Sequence, residues 1–193
     1  MASHSKASHR SHLRAYRASL SEAEYAAASS AICTRLRTLR EVQAAATVHC
    51  YWPLVARREV DTRPFIAACV AAKQRVVLPV VETFDGAPRM VHRRYEGDDR
   101  LVTNRWGLRE PTGPLVDPTE LDVVVVPAFG IDRRGHRIGH GRGFYDAFLG
   151  TTAAFRVGLV YDACLVERLP SEAHDEPVDA VMTESATLLV ASS

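Results

Sequence analysis

Lysine, paired cysteines and long apolar runs are all scarce in this chain of 193 residues. No apolar stretch reaches the roughly 20 residues of a membrane-spanning helix, so the sequence predicts no such helix. The four cysteines are scattered and none belongs to a CxxC pair. We therefore expect reduced, mostly buried thiols in a cytoplasmic protein, rather than a disulfide framework or a zinc site.

Positive charge is carried almost entirely by arginine, since Lys6 and Lys73 are the only lysines among 24 basic residues. Arginine stays protonated and presents a planar fork that matches oxyanions. The net charge of +1 argues against a bulk binder of nucleic acid or of a membrane surface. Length and composition, with 47% hydrophobic residues, are typical of one globular domain, which we assign to residues 1–193.

The most informative stretch is residues 121–149, LDVVVVPAFGIDRRGHRIGHGRGFYDAFL. Residues 121–129 form an apolar, β-branched run that predicts a strand buried on both faces. Five glycines follow in residues 130–143, interleaved with Arg133, Arg134, Arg137, His140 and Arg142, and a helix is expected from residue 144. Such a loop before a helix favours a polyanion cradle, although a solvated connection with ordinary surface arginines remains the alternative. It is neither a Walker loop nor a GxGxxG motif.

The rest of the chain alternates between helical and strand patterns. Helices are predicted at residues 6–20, 21–39 and 62–72, the second opened by a capping box of Ser21 and Glu24. Strands are predicted at residues 48–52, 75–81, 90–95 and 156–161, with 180–183 as the last paired strand and a turn at Asp85 and Gly86. This order predicts an α/β protein: a single-domain, Rossmann-like, three-layer α/β/α fold with a mostly parallel central sheet.

Charged residues outside the loop complete a candidate site. Lys6 and Arg10 are spaced four apart with Arg14, so their cationic ends share one helix face. This face suits an anion, but a solvated helix or an organelle presequence explains the spacing equally well. A reactive nucleotide also requires a divalent cation, for which Asp146 and Asp175 are the best oxygen donors. Their alternative roles are a partner for the helix dipole and a solvated loop acid, respectively.

These segments together resemble the 5-formyltetrahydrofolate cyclo-ligase family, also called 5,10-methenyltetrahydrofolate synthetase. The resemblance rests on PAFGIDRRGHRIGHGRGFYDAFL at 127–149, the basic face at Lys6, YWP and EVDT around Glu59, WGLREP at Trp106, and LPSEAHDEPVDAVMTE near the end. It extends in order over nearly the whole chain. It implies ATP-dependent closure of 5-formyltetrahydrofolate to 5,10-methenyltetrahydrofolate with release of ADP and phosphate, through a phosphorylated formyl intermediate.

The resemblance also implies roles for individual residues. ATP would be bound by Lys6, Arg10, Arg137, Ile138, Gly139, His140, Gly141, Arg142, Gly143, Phe144 and Tyr145. The folate would contact Trp52, Glu59, His140, Gly141, Arg142, Gly143 and Phe144. Asp146 and Asp175 would hold Mg²⁺, and Arg142 and Tyr145 would be catalytic. The acid-free N-terminus then becomes part of the site rather than a presequence.

Some positions depart from the family pattern. Phe144 replaces a frequent tyrosine, His140 lies at a variable position, and the segment before Glu59 is about two residues longer. The extra Arg57 and Arg58 lead us to consider contact with the glutamate tail of the folate, with or without further glutamates. We expect a cytoplasmic monomer. The alternatives are a sugar-phosphate isomerase or acyl-transfer enzyme on the same scaffold, and a non-catalytic folate or nucleotide binder.

Overall fold

A mostly parallel sheet organises the protein in this computed structural model, which describes residues 5–83, 88–172 and 174–191. Its seven strands in the described residues follow the order β12-β11-β9-β6-β1-β2-β3. They are β1 Thr47–His49, β2 Arg75–Thr83, β3 Arg89–Arg94, β6 Val123–Pro127, β9 Phe155–Leu159, β11 Ala180–Met182 and β12 Thr187–Leu189. Only β3 and β12, at the two edges, pair antiparallel with their neighbours. The α/β class and the mostly parallel sheet predicted from the sequence are confirmed.

The central strand β6 lies between β1 and β9 and is buried on both faces over its four valines. This is the environment that its continuous apolar run predicts, because strands covered by helices on both sides show no alternation. The strand is shorter than predicted, since it ends at Pro127, which has no N–H to donate to a further ladder bond. The chain leaves the sheet there and enters the glycine-rich loop.

The helices of the described residues are α1 Lys6–Ser19, α2 Glu22–Leu36, α3 Arg40–Ala44, α4 Arg63–Ala71 and α5 Phe144–Leu149. The capping box of α2 is present, with Ser21 and Glu24 each satisfying the other's backbone N–H. The prediction that this helix reaches residue 39 is wrong. It ends at Leu36, whose side chain is fully buried, and the chain turns before the separate helix α3.

Two further expectations need correction. The predicted last strand, β11, is followed by β12, which pairs with it antiparallel at the sheet edge. The glycine-rich segment is not all loop, because β7 Gly130–Asp132 and β8 Arg137–Ile138 form a small hairpin inside it. β7 also pairs with β10 Leu165–Val166, and β4 Leu101–Thr103 pairs with β5 Arg109–Pro111. The turn predicted at Asp85 and Gly86 lies outside the described residues.

One hydrophobic core joins these elements. Helices α2 and α4 pack on each other, α4 also packs on β2, and α5 packs on β3. The cysteines contribute to this core as predicted: Cys33, Cys50, Cys69 and Cys164 are all free and buried.

Candidate functional site

The arginines of the glycine-rich loop fall into two groups. Arg133 pairs with Glu167 at 3.0 Å, and Arg134 pairs with Asp132 at 2.8 Å while also donating to the Leu169 carbonyl. These two guanidinium groups stabilise the hairpin, so they do not belong to the anion cradle that the sequence predicted. The remaining basic residues, Arg137, His140 and Arg142, lie in or beyond β8.

Asp132 fixes the shape of the hairpin. Its side chain is 0% exposed and accepts hydrogen bonds from the backbone N–H groups of Arg134 at 2.9 Å, His136 at 3.0 Å and Leu169 at 2.9 Å. A buried carboxylate satisfied in this way costs little and locks the turn that leads into β8. Sequence reasoning missed this residue, because its partners are backbone groups that no side-chain motif reveals.

Arg137 and Asp146 join the loop to α5. The Arg137 side chain is 5% exposed and its Nη2 donates to Asp146 Oδ1 at 2.7 Å, while Nη1 donates to the Glu176 carbonyl. Asp146 Oδ1 also accepts from the Glu176 N–H at 3.3 Å. Burial lowers the pKa of Arg137, and the Asp146 carboxylate opposes that shift. The neighbour of Asp175 in the chain is thus hydrogen-bonded to Asp146, which brings the two predicted metal ligands to one place.

Lys6 links α1 to the same place. Its Nζ donates to Asp175 Oδ2 at 2.7 Å and stands 3.1 Å from Glu172 Oε1. Burial acts to lower the pKa of Lys6, but the two carboxylates outweigh it and the pKa is raised. Burial likewise acts to raise the pKa of Asp175, but the hydrogen bonds from Lys6 and from the Glu172 N–H, together with the Lys6 charge, outweigh it and the pKa is lowered. Both groups are therefore charged near neutral pH.

Arg10 reaches the loop one helical turn further along α1. Its Nε donates to the Gly139 carbonyl at 2.9 Å. Gly141 has φ +82°, which strains any other residue, and a Cβ there would lie 3.0 Å from the Arg10 guanidinium, so a side chain would also crowd Arg10. The structure thus places Arg10 against the loop, while Lys6 pairs with Asp175, whose neighbour Glu176 donates to Asp146.

Glu59 and His140 form the second half of the site. Glu59 is 6% exposed, its Oε2 accepts from the Leu54 N–H at 2.9 Å, and its Oε1 lies 3.8 Å from His140 Nε2. Burial raises the pKa of Glu59. Burial, together with four arginine charges, lowers the pKa of His140 to about 4, so the imidazole is neutral near pH 7.

Arg17 holds this half together and was not predicted as a site residue. It is 3% exposed and donates to the carbonyls of Arg58 at 3.0 Å and Arg57 at 2.8 Å. Its Nη2 also lies 3.9 Å from Glu59 Oε1, and its guanidinium covers the Phe129 ring at 4.7 Å. A single side chain of α1 thereby fixes the segment that carries Glu59. Asp61, by contrast, pairs with Arg63 at the start of α4.

The aromatic residues of the prediction lie in two settings. Trp52 is half-buried between Tyr95, at 6.0 Å between ring centroids, and the Arg109 guanidinium, at 5.1 Å. The Tyr145 hydroxyl is buried without a hydrogen-bond partner in the described residues, and its ring packs against His49 and Phe148. Phe144 is half-buried, whereas Arg142 is exposed beside Gly141.

Nearly the whole chain matches one protein family. A profile described as the 5-formyltetrahydrofolate cyclo-ligase family covers residues 2–184. The chain belongs to this family. The family and enzyme class expected from the sequence are thereby confirmed.

Two bacterial proteins illustrate the relationship. The 5-formyltetrahydrofolate cyclo-ligase of Escherichia coli K12 is 37% identical over 158 residues, which are 79% of this chain and 85% of that protein. The cyclo-ligase of Haemophilus influenzae is 29% identical over 175 residues, which are 88% and 92% of the two chains. Both matches span most of each protein, so the similarity is not confined to the loop.

Solved structures of this family share the fold. The 5,10-methenyltetrahydrofolate synthetase of Aquifex aeolicus superposes with a TM-score of 0.84 at 29% identity, over 97% of this chain and 94% of that one. The synthetase of Mycoplasma pneumoniae gives 0.75 at 20% identity, over 93% and 98%, which shows likeness of fold alone. The described residues contain no helix long and apolar enough to cross a membrane.

The donor chemistry of the site fits magnesium. Asp146 and Asp175 offer hard carboxylate oxygens, and the hydrogen bond from the Glu176 N–H to Asp146 keeps their segments together. Nowhere in the described ranges do three or more His, Cys, Asp or Glu side chains group as a metal cage. Mg²⁺ does not need one, because it usually takes one or two protein carboxylates and completes its shell with phosphate oxygens and water.

Proposed function

We propose that this protein closes 5-formyltetrahydrofolate to 5,10-methenyltetrahydrofolate at the expense of ATP, releasing ADP and phosphate. The observation that carries the proposal is the meeting of three elements. Lys6 and Arg10 of α1 contact the 172–175 segment and the glycine-rich loop, and Arg137 of that loop holds Asp146. Cations and carboxylates so arranged suit a nucleotide with its magnesium ion. Family membership supports the same reaction.

The reaction replaces a poor leaving group by a good one. The formyl oxygen attacks the γ-phosphorus of ATP and takes its phosphoryl group, and ADP leaves. Nitrogen 10 of the folate then adds to the activated formyl carbon and loses its proton, and the carbon–oxygen bond breaks to release phosphate. Both steps need positioning and charge neutralisation rather than a covalent protein intermediate.

The protein's own residues would divide this work. Lys6, Arg10, Arg137 and Arg142 would neutralise phosphate charge, with the backbone of residues 138–145 around them. Asp146 and Asp175 would hold Mg²⁺, which supplies charge neutralisation at the phosphates. Glu59 and Trp52 would contact the folate, with His140 to Phe144 between the two substrates. We assign Tyr145, whose hydroxyl is buried and whose ring packs against His49, to orienting the loop from within the site.

We further propose one cyclo-ligase domain over residues 1–193, acting as a monomer in the cytoplasm. The continuous core and the family match over residues 2–184 support the single domain. Four free, buried cysteines support a reducing compartment. Light scattering of the purified protein tests the monomer, and a mass of twice 21.3 kDa would contradict it.

The test of the reaction is absorbance of the methenyl product on mixing the protein with 5-formyltetrahydrofolate and MgATP. We expect product only when folate, ATP and magnesium are all present. Binding of both substrates without product would contradict catalysis and indicate a binding protein. Absence of both binding events would restrict the similarity to the scaffold.

A further inference from the structure

Positive charge exceeds negative charge around Glu59 and His140. The charges of Arg10, Arg14, Arg17 and Arg57 all act on His140. The rings of Phe129 and His140 lie 4.8 Å apart between centroids, and Arg14 stands over Phe129 at 5.5 Å. Against these four cations the only carboxylate paired with His140 or Arg17 in the described residues is Glu59.

Two of the four arginines are already engaged. Arg17 donates hydrogen bonds to the carbonyls of Arg57 and Arg58, and Arg10 donates to the Gly139 carbonyl. Arg14 and Arg57 are exposed, and within the described ranges neither has a carboxylate within 4.0 Å. Both of these charges act on His140, and like charges near one group repel each other unless an anion lies between them. We call Arg14 and Arg57 the arginine rim.

Arg58, the neighbour of Arg57, points elsewhere. Its backbone adopts the left-handed conformation, with φ +52°. Its guanidinium pairs with Glu22 at 2.8 Å and lies over the Tyr25 ring at 5.1 Å. Of the two arginines in the longer segment before Glu59, only Arg57 therefore acts on the site.

We propose that the arginine rim binds the carboxylates of the glutamate tail of the folate. This inference rests on the proposed function and deepens it. Lys6, Arg10, Arg137 and Arg142 already provide four cations for the phosphates of ATP. The folate ring system, which has no net charge at its polar edge, suits the neutral His140 and the buried Glu59. The charged tail of the same molecule then meets the exposed guanidinium groups outside them, where solvent also reaches.

Arg57→Gln and Arg58→Gln form a matched pair that tests the rim. Each removes one charge at adjacent positions, so their long-range effects on net charge are equal. Binding of 5-formyltetrahydrofolate to the full chain is titrated by calorimetry without ATP. We expect Arg57→Gln to raise Kd about fivefold and Arg58→Gln to leave it within about twofold, because charged pairs at exposed sites contribute modestly.

Two further titrations distinguish the glutamate tail of the folate from the phosphates of ATP as the anion that the rim binds. A folate carrying two additional glutamates binds the wild-type protein more tightly than the monoglutamate, and Arg57→Gln reduces that advantage. MgATP binds both variants as it binds the wild type. Equal weakening of folate binding in both variants, no weakening in Arg57→Gln, or a loss confined to MgATP would each overturn the proposal.

The experiments distinguish failure of the proposed reaction from failure of the arginine-rim proposal. Folate binding that depends on Arg57 without formation of methenyl product would contradict the reaction and leave the rim supported. Product formation with equal folate affinity in Arg57→Gln and the wild type would support the reaction and overturn the rim. Thermal unfolding of both variants at the wild-type temperature confirms that each is folded.

Discussion

At the scale of single residues, each carboxylate proposed for magnesium has a cationic partner from another element. Asp175 pairs with Lys6 of α1, and Asp146 pairs with Arg137 of β8. On the proposed assignment, magnesium would compete with Lys6 at Asp175, and a displaced Lys6 would be free to contact phosphate. The metal and the phosphates are expected to bind together rather than singly.

Asp146→Asn tests the metal assignment. The change removes a proposed ligand and the ion-pair partner of Arg137, so we expect kcat/KM to fall about 100-fold or more and the magnesium requirement to rise. Initial rates against magnesium concentration measure both. Asp117→Asn is the control, because Asp117 caps the short helix Pro118–Glu120 and asparagine caps equally well. An unchanged magnesium dependence in Asp146→Asn would contradict the assignment.

Arg17→Met tests whether Arg17 positions Glu59. The backbone carbonyls of residues 57 and 58 would lose their donor, so we expect the KM for the folate to rise roughly tenfold, the order of one charged hydrogen bond. The KM for MgATP should stay within about twofold. Because the Arg17 charge lowers the pKa of Glu59, its removal raises that pKa and shifts the pH profile of folate binding upward.

Arg17→Lys keeps the positive charge but lacks the planar guanidinium group, so it should recover part of the folate affinity lost in Arg17→Met. Equal rises in the KM of folate and of MgATP would instead indicate general loosening of α1.

Individual residues were predictable where spacing alone brings them together. Lys6 and Arg10 lie one helical turn apart, and β8 and α5 follow each other closely in sequence, so their shared site could be anticipated. Arg17 and Asp132 could not, because their hydrogen bonds go mostly to backbone groups of distant segments. Arg133 and Arg134 were wrongly placed in the cradle, since charge density does not reveal local ion pairs.

At the scale of elements, α1 contacts the proposed site through three polar side chains, while Leu13 packs in the hydrophobic core. Lys6 contacts the 172–175 segment, Arg10 the loop, and Arg17 the segment before Glu59. A nucleotide that engages Lys6 and Arg10 should therefore tighten the whole helix. We expect slower amide exchange of residues 6–19 with MgATP than without it. Equal protection in both conditions would refute this, with α2 serving as the internal reference.

Helix α5 rests on a pair of buried histidines. His92 lies 4.0 Å from Phe148 and 5.0 Å from His49 between ring centroids, and His92 Nδ1 has no hydrogen-bond partner among the described residues. Burial lowers the pKa of His92 to about 4 from its ordinary 6.5. The unfolded chain therefore binds the proton first as pH falls. The contribution of the neutral His92 ring to the free energy of unfolding is complete above pH 6.5 and is lost between pH 6.5 and about 4.

His92→Leu should remove this pH dependence. Between pH 7.5 and 5, the His92 contribution to the free energy of unfolding falls by on the order of 2 kcal/mol in the wild type, and the variant escapes that loss. Urea unfolding at the two pH values measures the difference, with the exposed His12→Gln as control. The same loss in His92→Leu as in the wild type would show that other groups set the acid sensitivity.

Helices and strands were predictable where a local sequence pattern marks them. The valine run predicted the buried strand β6, and the capping box predicted the start of α2. Two of the three residues of β12 are exposed, and the strand pairs with β11 at the edge of the sheet. Its sequence therefore shows no alternation of apolar and polar residues that would predict a strand. The hairpin of β7 and β8 was not predicted, because the glycines of this segment indicate a loop.

At the scale of the whole molecule, the sheet gathers segments that are far apart in sequence. Residues of α1, the segment after β1, the loop after β6 and the segment before β11 meet around one site. The alternation of strands and helices predicted the fold class, because parallel strands require crossover connections. The roles proposed for individual residues come from the family resemblance, because charge and spacing left them open.

The most direct test of the account follows one oxygen atom. The protein is mixed with MgATP and 5-formyltetrahydrofolate labelled with ¹⁸O in the formyl group, and the mass of the released phosphate is measured as methenyl product forms. The account predicts one labelled oxygen in the phosphate for every methenyl group formed, because the formyl oxygen leaves with the phosphoryl group. Unlabelled phosphate accompanying product would contradict phosphoryl transfer to the formyl oxygen.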